Sequence, residues 1–177
     1  IIINKIAPKK KFGQNFLTDQ SIIERIVSIA GQLENKSILE IGGGSGNLTK
    51  QLIKAKPKDL IVVEIDKDYV EILGKILKSS SVKTKLISDN ILKTDIYSYF
   101  SEPPVIFGNL PYNISTKILA KLLGPSNNKN KWEKLFLMFQ LEVANRIVAK
   151  PNTKQYGRLS LFSQFYSFPS LELQIPK

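Results

Sequence analysis

An α/β fold with a doubly wound, mostly parallel sheet is the fold class this sequence predicts. Short apolar runs recur along the chain, helical stretches of 3.6-residue periodicity separate most of them, and the first run ends in a glycine-rich turn. At 177 residues the chain is long enough to bury one sizeable core, so a single domain over 1–177 is expected. There is neither an internal repeat nor an interdomain linker.

The elements follow in order. Ser21 and Glu24 form a capping-box pattern ahead of Ile22, Ile23, Ile26, Val27 and Ile29, with Gly31 as a stop, which predicts an amphipathic helix before the first strand. Strands are predicted at 37–41, 60–65, 83–88, 104–109, 135–140 and about 168–175. Helices are predicted between several of them, including 68–78 and 115–123, and this alternation is that of βαβ units. Loops are expected at 79–81, 124–131 and 150–156.

Composition narrows the chemistry. Lys and Arg number 26 against 15 acidic residues, a net charge of +11 that favours a polyanion such as nucleic acid, although a lysine-rich solvated surface accounts for the same charge. There is no Cys and no His, which excludes thiolate and imidazole metal sites, a Ser-His-Asp triad and disulfides; no metal is expected, while carboxylate-bound metals stay open. Ile1-Ile2-Ile3 is too short for a signal-peptide core and no apolar segment is long enough for a membrane helix, so no membrane partner and a cytoplasmic location are expected.

The candidate site is spread over four strand ends. The first strand runs into Glu40-Ile41-Gly42-Gly43-Gly44-Ser45-Gly46, where glycines let the backbone approach a ligand. Asn47 stands where a dinucleotide fingerprint requires glycine, which favours S-adenosylmethionine over a nicotinamide or flavin. Glu64 ends the second strand, placed to accept from both ribose hydroxyls, and Asp89, after the third, is placed to accept from an adenine amine. Taken singly, the glycines are a tight turn, Glu64 and Asp66 helix-start carboxylates, and Asp89 an Asx turn; together they converge on one nucleoside. After the fourth strand comes Asn109-Leu110-Pro111-Tyr112. An amide carbonyl, a rigid turn and an aromatic face suit a flat base with an exocyclic amine, and point to methylation of that amine.

Lys11-Phe12-Gly13-Gln14-Asn15-Phe16-Leu17, the glycine loop, Asn109-Leu110-Pro111-Tyr112-Asn113-Ile114-Ser115 and Tyr156-Gly157-Arg158-Leu159-Ser160 together resemble the bacterial small-subunit (16S) ribosomal RNA adenine dimethyltransferase family, the kasugamycin-sensitivity methylases. The resemblance runs from about Lys9 to the last residue. It implies a Rossmann-like, S-adenosylmethionine-dependent catalytic domain that dimethylates the N6 amines of two adjacent adenines near the 3′ end of 16S rRNA in the immature small subunit, acting as a monomer. By matching positions, Gln14, Asn15 and Leu17 would close over the cofactor from the N-terminal side and Gly42 and Gly44 would line its methionine portion. Glu64 would hold the ribose, Asp89 the adenine amine with Asn90 beside it, and Asn109 would face the transferred methyl. The family usually has proline where Gly43 stands and an apolar residue where Ser45 stands, a departure expected to loosen the loop. Members continue past residues 175–177 into a Phe-x-Pro-x-Pro-Lys-Val stretch, a last antiparallel strand between the fifth and sixth, and a small helical RNA-binding domain. The sheet is therefore expected to lack that strand, and the chain that domain.

An adenine N6 amine is a poor nucleophile because its lone pair is delocalised into the ring. Oxygens of Asn109 and Leu110 would accept its hydrogens and favour a pyramidal nitrogen, while Tyr112 stacks on a base flipped out of the RNA. Phosphate contacts would be distributed over Lys9, Lys10, Lys11, Lys129, Lys131, Arg146, Lys150, Lys154 and Arg158. Alternatives are a 23S rRNA adenine methyltransferase of the erythromycin-resistance type, a non-catalytic ribosome-assembly factor, and a DNA adenine methyltransferase.

Overall fold

The computed structural model describes residues 17–125 and 131–175. Five parallel strands form one sheet in the order β3-β2-β1-β4-β5: β1 (Ser37–Ile41), β2 (Asp59–Glu64), β3 (Lys83–Ser88), β4 (Val105–Asn109) and β5 (Lys134–Met138). Helices α1 (Gln20–Ile29), α2 (Asn47–Lys54) and α3 (Lys67–Lys78) precede or connect β1 to β3; α4 (Ser115–Leu123) follows β4, and α5 (Leu141–Ile147) and α6 (Arg158–Tyr166) follow β5. The strand order reverses between β1 and β4, so the carboxyl ends of these two strands flank a crevice where open α/β sheets take their ligands.

Alternation along the strands divides two layers. Ile38, Leu60, Val62, Val105 and Phe107 face α1, α2 and α3, burying Ile23, Leu52, Tyr69 and Leu73. Leu39, Ile41, Ile61, Val63 and Ile106 face the other way, against Ile118 and Leu122 of α4 and against Ile91 and Ile96. Central β1 is buried along its whole length, which is why it reads as an apolar run broken only by Glu40. Outer β3 instead exposes Lys83 and Lys85, charges that protect an open sheet edge. Phe107 stacks on Phe136 across β4 and β5, with centroids 5.1 Å apart.

Two expectations are corrected. The cap of α1 is Asp19, whose carboxylate accepts from the N–H groups of Ser21 (2.8 Å) and Ile22 (3.3 Å), and Glu24 accepts from Gln20 at 2.9 Å instead of closing a capping box. An acidic oxygen two residues earlier offers the helix start a charged acceptor that Ser21 cannot match. The strand expected at about 168–175 does not form. Leu171, Leu173 and Ile175 keep a two-residue period, and the last two pack on the core, but among the described residues no strand pairs with them. Pro169 also removes a donor. Alternation specifies a face; a strand also requires a neighbour.

Tyr156-Gly157-Arg158-Leu159-Ser160 has a structural task. The buried Ser160 hydroxyl donates to the Arg146 carbonyl (2.5 Å) and accepts from the Gly157 N–H (3.1 Å), while Gln164 donates to the carbonyls of Ile147 and Ala149 (3.0 and 2.8 Å), fastening α6 to the end of α5. Among the described residues no helix is long and apolar enough to cross a membrane.

Candidate active site

The turn after β1 is built by left-handed glycines: Gly42, Gly44 and Gly46 have φ of 76°, 50° and 79°. Side chains are strained in that region, and at Gly42 the backbone also runs close to the next loop, since a Cβ there would lie 3.7 Å from the Asn109 carbonyl oxygen. The glycine turn and the Asn109 loop therefore meet at the crevice. α2 starts at this turn with no side-chain cap, leaving its first N–H groups toward it.

Glu64 is 5% exposed and holds the turn together. Its Oε2 accepts from the Gly44 N–H at 2.9 Å, and its Oε1 from the N–H groups of Ile65 and Asp66 at 2.8 and 2.9 Å. Oε1 is thus fully engaged by two N–H groups, while Oε2 keeps acceptor capacity for a hydroxyl. Asp66 is the N-cap of α3, as its position at a helix start suggested. The Asp89 N–H donates to the Glu64 carbonyl (3.1 Å), which sets the β3 end against the β2 end. Asp89 is exposed; its Oδ1 accepts from the Asn90 N–H (2.6 Å) and its Oδ2 from the Thr94 hydroxyl (3.1 Å). The Asx turn expected at Asp89 is instead made by Asn90, whose side-chain oxygen accepts from the Leu92 N–H two residues on (2.9 Å), while Asp89 stands as a carboxylate at the crevice.

In the Asn109 loop, Leu110 is 2% exposed and anchors the backbone in the core. The Ile114 N–H closes a turn on the Pro111 carbonyl (3.1 Å), and the buried Ser115 hydroxyl donates to the Tyr112 carbonyl (3.3 Å). Tyr112 is left 41% exposed, an aromatic face held outward by a rigid loop. Asn109 and Pro111 line the same cleft as Gly42, Glu64, Asp89 and Asn90. Leu17 lines it as well, its carbonyl accepting from the Asn47 side chain at 3.0 Å. Gln14 and Asn15 lie outside the described residues, as do Lys9, Lys10, Lys11 and Lys129.

Gly43 stands where the family usually has proline, and the space beside its Cα is filled. A Cβ there would come within 2.7 Å of Val62 Cγ1 and 2.9 Å of Leu73 Cδ1, so neighbouring core side chains already occupy that space. Of the described cationic candidates, Lys131 donates to the Gly124 carbonyl (2.7 Å) and Arg146 pairs with Glu142 (2.8 Å), while Lys150, Lys154 and Arg158 are exposed.

Sequence reasoning missed several participants. Glu40, 1% exposed, sits between Val62 and Phe107 on the neighbouring strands. Its Oε2 has no hydrogen-bond partner among the described residues, and burial pushes its carboxyl up to about 7, Thr49 offsetting part of the rise and the like charge of Glu64 adding to it. A glutamate inside an apolar run is the signal that could have marked it. Asn47 mattered as a holder of Leu17 as well as a missing glycine. Ile65 and Ile91 give the cleft apolar walls beside the two carboxylates.

A profile of the ribosomal RNA adenine dimethylase family matches residues 6–169. The chain belongs to that family. The Pelagibacter ubique protein named ribosomal RNA small subunit methyltransferase A is 46% identical over 160 residues, which cover 90% of this chain and 60% of that one. The chain thus spans under two thirds of the length of such curated relatives. Among solved structures, a dimethyladenosine transferase from Plasmodium falciparum superposes with a TM-score of 0.69 at 28% identity over 85% of this chain and 52% of that one. The 23S rRNA methyltransferase ErmE does so with 0.67 at 27% identity over 84% and 55%. The Rossmann-like methyltransferase fold is common to all three.

Proposed function

We propose that this dimethylase-family chain transfers methyl groups from S-adenosylmethionine to the N6 amines of two adjacent adenines near the 3′ end of 16S rRNA in the immature small subunit. The observation that carries the reading is the meeting of the Gly42 turn and the Asn109 loop at the point where the strand order reverses. The cofactor supplies a methyl on a positively charged sulfur, which an amine lone pair can displace. Gly42 and Gly44 would line its methionine portion, and Leu17, held by Asn47, would cover it together with Gln14 and Asn15. Glu64 would hold the ribose through its Oε2. Asp89, with Asn90 beside it, would accept from the purine amine between Ile65 and Ile91.

The target base would stack on the exposed Tyr112 ring after flipping out of the RNA. The side-chain oxygen of Asn109 and the carbonyl of Leu110 would accept the two amine hydrogens and turn the nitrogen lone pair toward the methyl, with Pro111 and the buried Leu110 side chain holding both acceptors in place. No base is required before attack, because the proton becomes acidic once the nitrogen is alkylated. The absence of histidine therefore does not obstruct the chemistry. Excess positive charge would draw in the RNA backbone, with Lys150, Lys154 and Arg158 exposed for it.

The small-subunit reading rests on the names of relatives such as the Pelagibacter ubique protein, while the likeness to ErmE keeps a large-subunit adenine as the second reading. Labelled methyl transfer to small and to large subunits lacking their adenine modifications separates the two, with RNA digestion locating the product. Transfer to small subunits that disappears in Asn109→Ala supports the proposal. Transfer to large subunits alone replaces it with the second reading. Binding to small subunits without transfer, in this chain and in one extended to the relatives' length, points to an assembly factor.

A further inference from the structure

Lys121 lies in the last turn of α4, the helix that follows the Asn109 loop, yet its ammonium reaches the turn that follows β3. Its Nζ donates to the Thr94 carbonyl at 2.6 Å, across 27 residues of sequence. Thr94 is 6% exposed, and its hydroxyl lies 3.1 Å from Asp89 Oδ2 and 3.0 Å from the Asn90 carbonyl, donating between them. The Asn90 N–H fixes the other carboxylate oxygen, and the Asn90 side chain accepts from the Leu92 N–H at 2.9 Å. Residues 89–94 therefore form a tightly self-bonded turn that is tied to α4 through Lys121. The ammonium also lies within electrostatic reach of the Asp89 and Asp95 carboxylates, which oppose the effect of burial on it.

We propose that Lys121 is a positioning residue that, through Thr94, orients the Asp89 carboxylate and so sets the selectivity of the cofactor pocket for a 6-amino over a 6-oxo purine. An ionised carboxylate only accepts hydrogen bonds, so it pairs with an amine and opposes a carbonyl oxygen. Selection depends on where the carboxylate points, and an exposed Asp with no outside constraint rotates to suit either ligand. With Oδ1 and Oδ2 each already engaged, the directions left for a ligand are fixed. Lys121 holds the group that does the fixing. The inference rests on the reading of Asp89 as the acceptor of the purine amine.

Binding of S-adenosylhomocysteine and of its 6-oxo counterpart S-inosylhomocysteine, measured by calorimetry, tests both levels. Wild type is expected to prefer the adenosyl compound by roughly tenfold to a hundredfold, the range of one charge-assisted hydrogen bond. Asp89→Ala should abolish that preference; if it does not, the reading of Asp89 fails and the proposal with it. Given its loss in Asp89→Ala, Lys121→Met should narrow the ratio about fivefold or more by weakening the adenosyl compound alone, with Lys121→Arg restoring most of it. Thr94→Val should narrow it likewise, which keeps the test alive if Lys121→Met does not fold. Adding Lys121→Met to Asp89→Ala should cause no further loss. An unchanged ratio in Lys121→Met or Thr94→Val, or equal weakening of both compounds, overturns the proposal and leaves the Asp89 reading standing.

Discussion

Replacing Glu40 by Gln should change how the stability of this protein depends on pH. The folded chain holds the Glu40 carboxyl at about 7 against an ordinary 4.5, chiefly because the group is buried between β2 and β4. A folded value above the unfolded one means that the folded state keeps its proton longer. Below pH 4.5 both states are protonated and the group is neutral in its effect. As pH rises from 4.5 through about 7 the unfolded chain gives up the proton first, so wild-type stability falls, and above that range the penalty is complete. At about 1.4 kcal/mol for each tenfold, the gap between 4.5 and about 7 corresponds to about 3 kcal/mol. Glu40→Gln carries no titrating group there. Its stability relative to wild type should therefore rise by about 3 kcal/mol across the window, whatever its offset at low pH from accommodating the amide. Urea unfolding of both proteins at steps from pH 4.5 to 8 measures that difference, and titrations elsewhere in the chain cancel from it. Parallel stability curves would refute the reasoning, since they would mean that Glu40 ionises in the folded protein as it does in the unfolded one.

Other outcomes follow from the same geometry. Asn109→Ala should lower methyl transfer roughly 10²-fold to 10³-fold while leaving S-adenosylhomocysteine bound, because it removes one oriented acceptor, as single-turnover rates and calorimetry would record. Glu64→Gln should weaken S-adenosylhomocysteine binding more than tenfold and also destabilise the fold by about 1–3 kcal/mol in urea, since one amide oxygen cannot receive the three N–H groups that the carboxylate does. Gly43→Ala should destabilise by about 1–3 kcal/mol in the same assay, its Cβ meeting fully buried Val62 and Leu73. Full stability in Gly43→Ala would mean that those side chains shift freely.

Five strands were legible to within two residues at either end, the central ones because a strand covered on both faces needs a continuous apolar run, and outer β3 by its alternation of exposed lysines with less exposed residues. Helix 115–123 was legible in full for the complementary reason, a 3.6-residue period starting directly after a proline turn. The positions of Gly42, Glu64, Asp89 and Asn109 at strand ends followed from the strands, since a parallel sheet brings its carboxyl ends to one edge. What failed were features that depend on a partner. The run 168–175 has a strand's alternation but pairs with no strand among the described residues, and Ser21 lost the cap to Asp19 because caps compete for the same N–H groups.

The sequence by itself determined the parallel α/β architecture and the residues that meet at the crevice, because both are written in local patterns of apolar period, glycine and proline, and its motifs carried the resemblance to the family. Tertiary structure alone decided that Glu40 is a buried carboxyl, that Val62 and Leu73 fill the space beside Gly43, and that Lys121 reaches Thr94. Burial, cavity filling and a hydrogen bond across 27 residues are properties of pairs distant along the chain, and no local period encodes them.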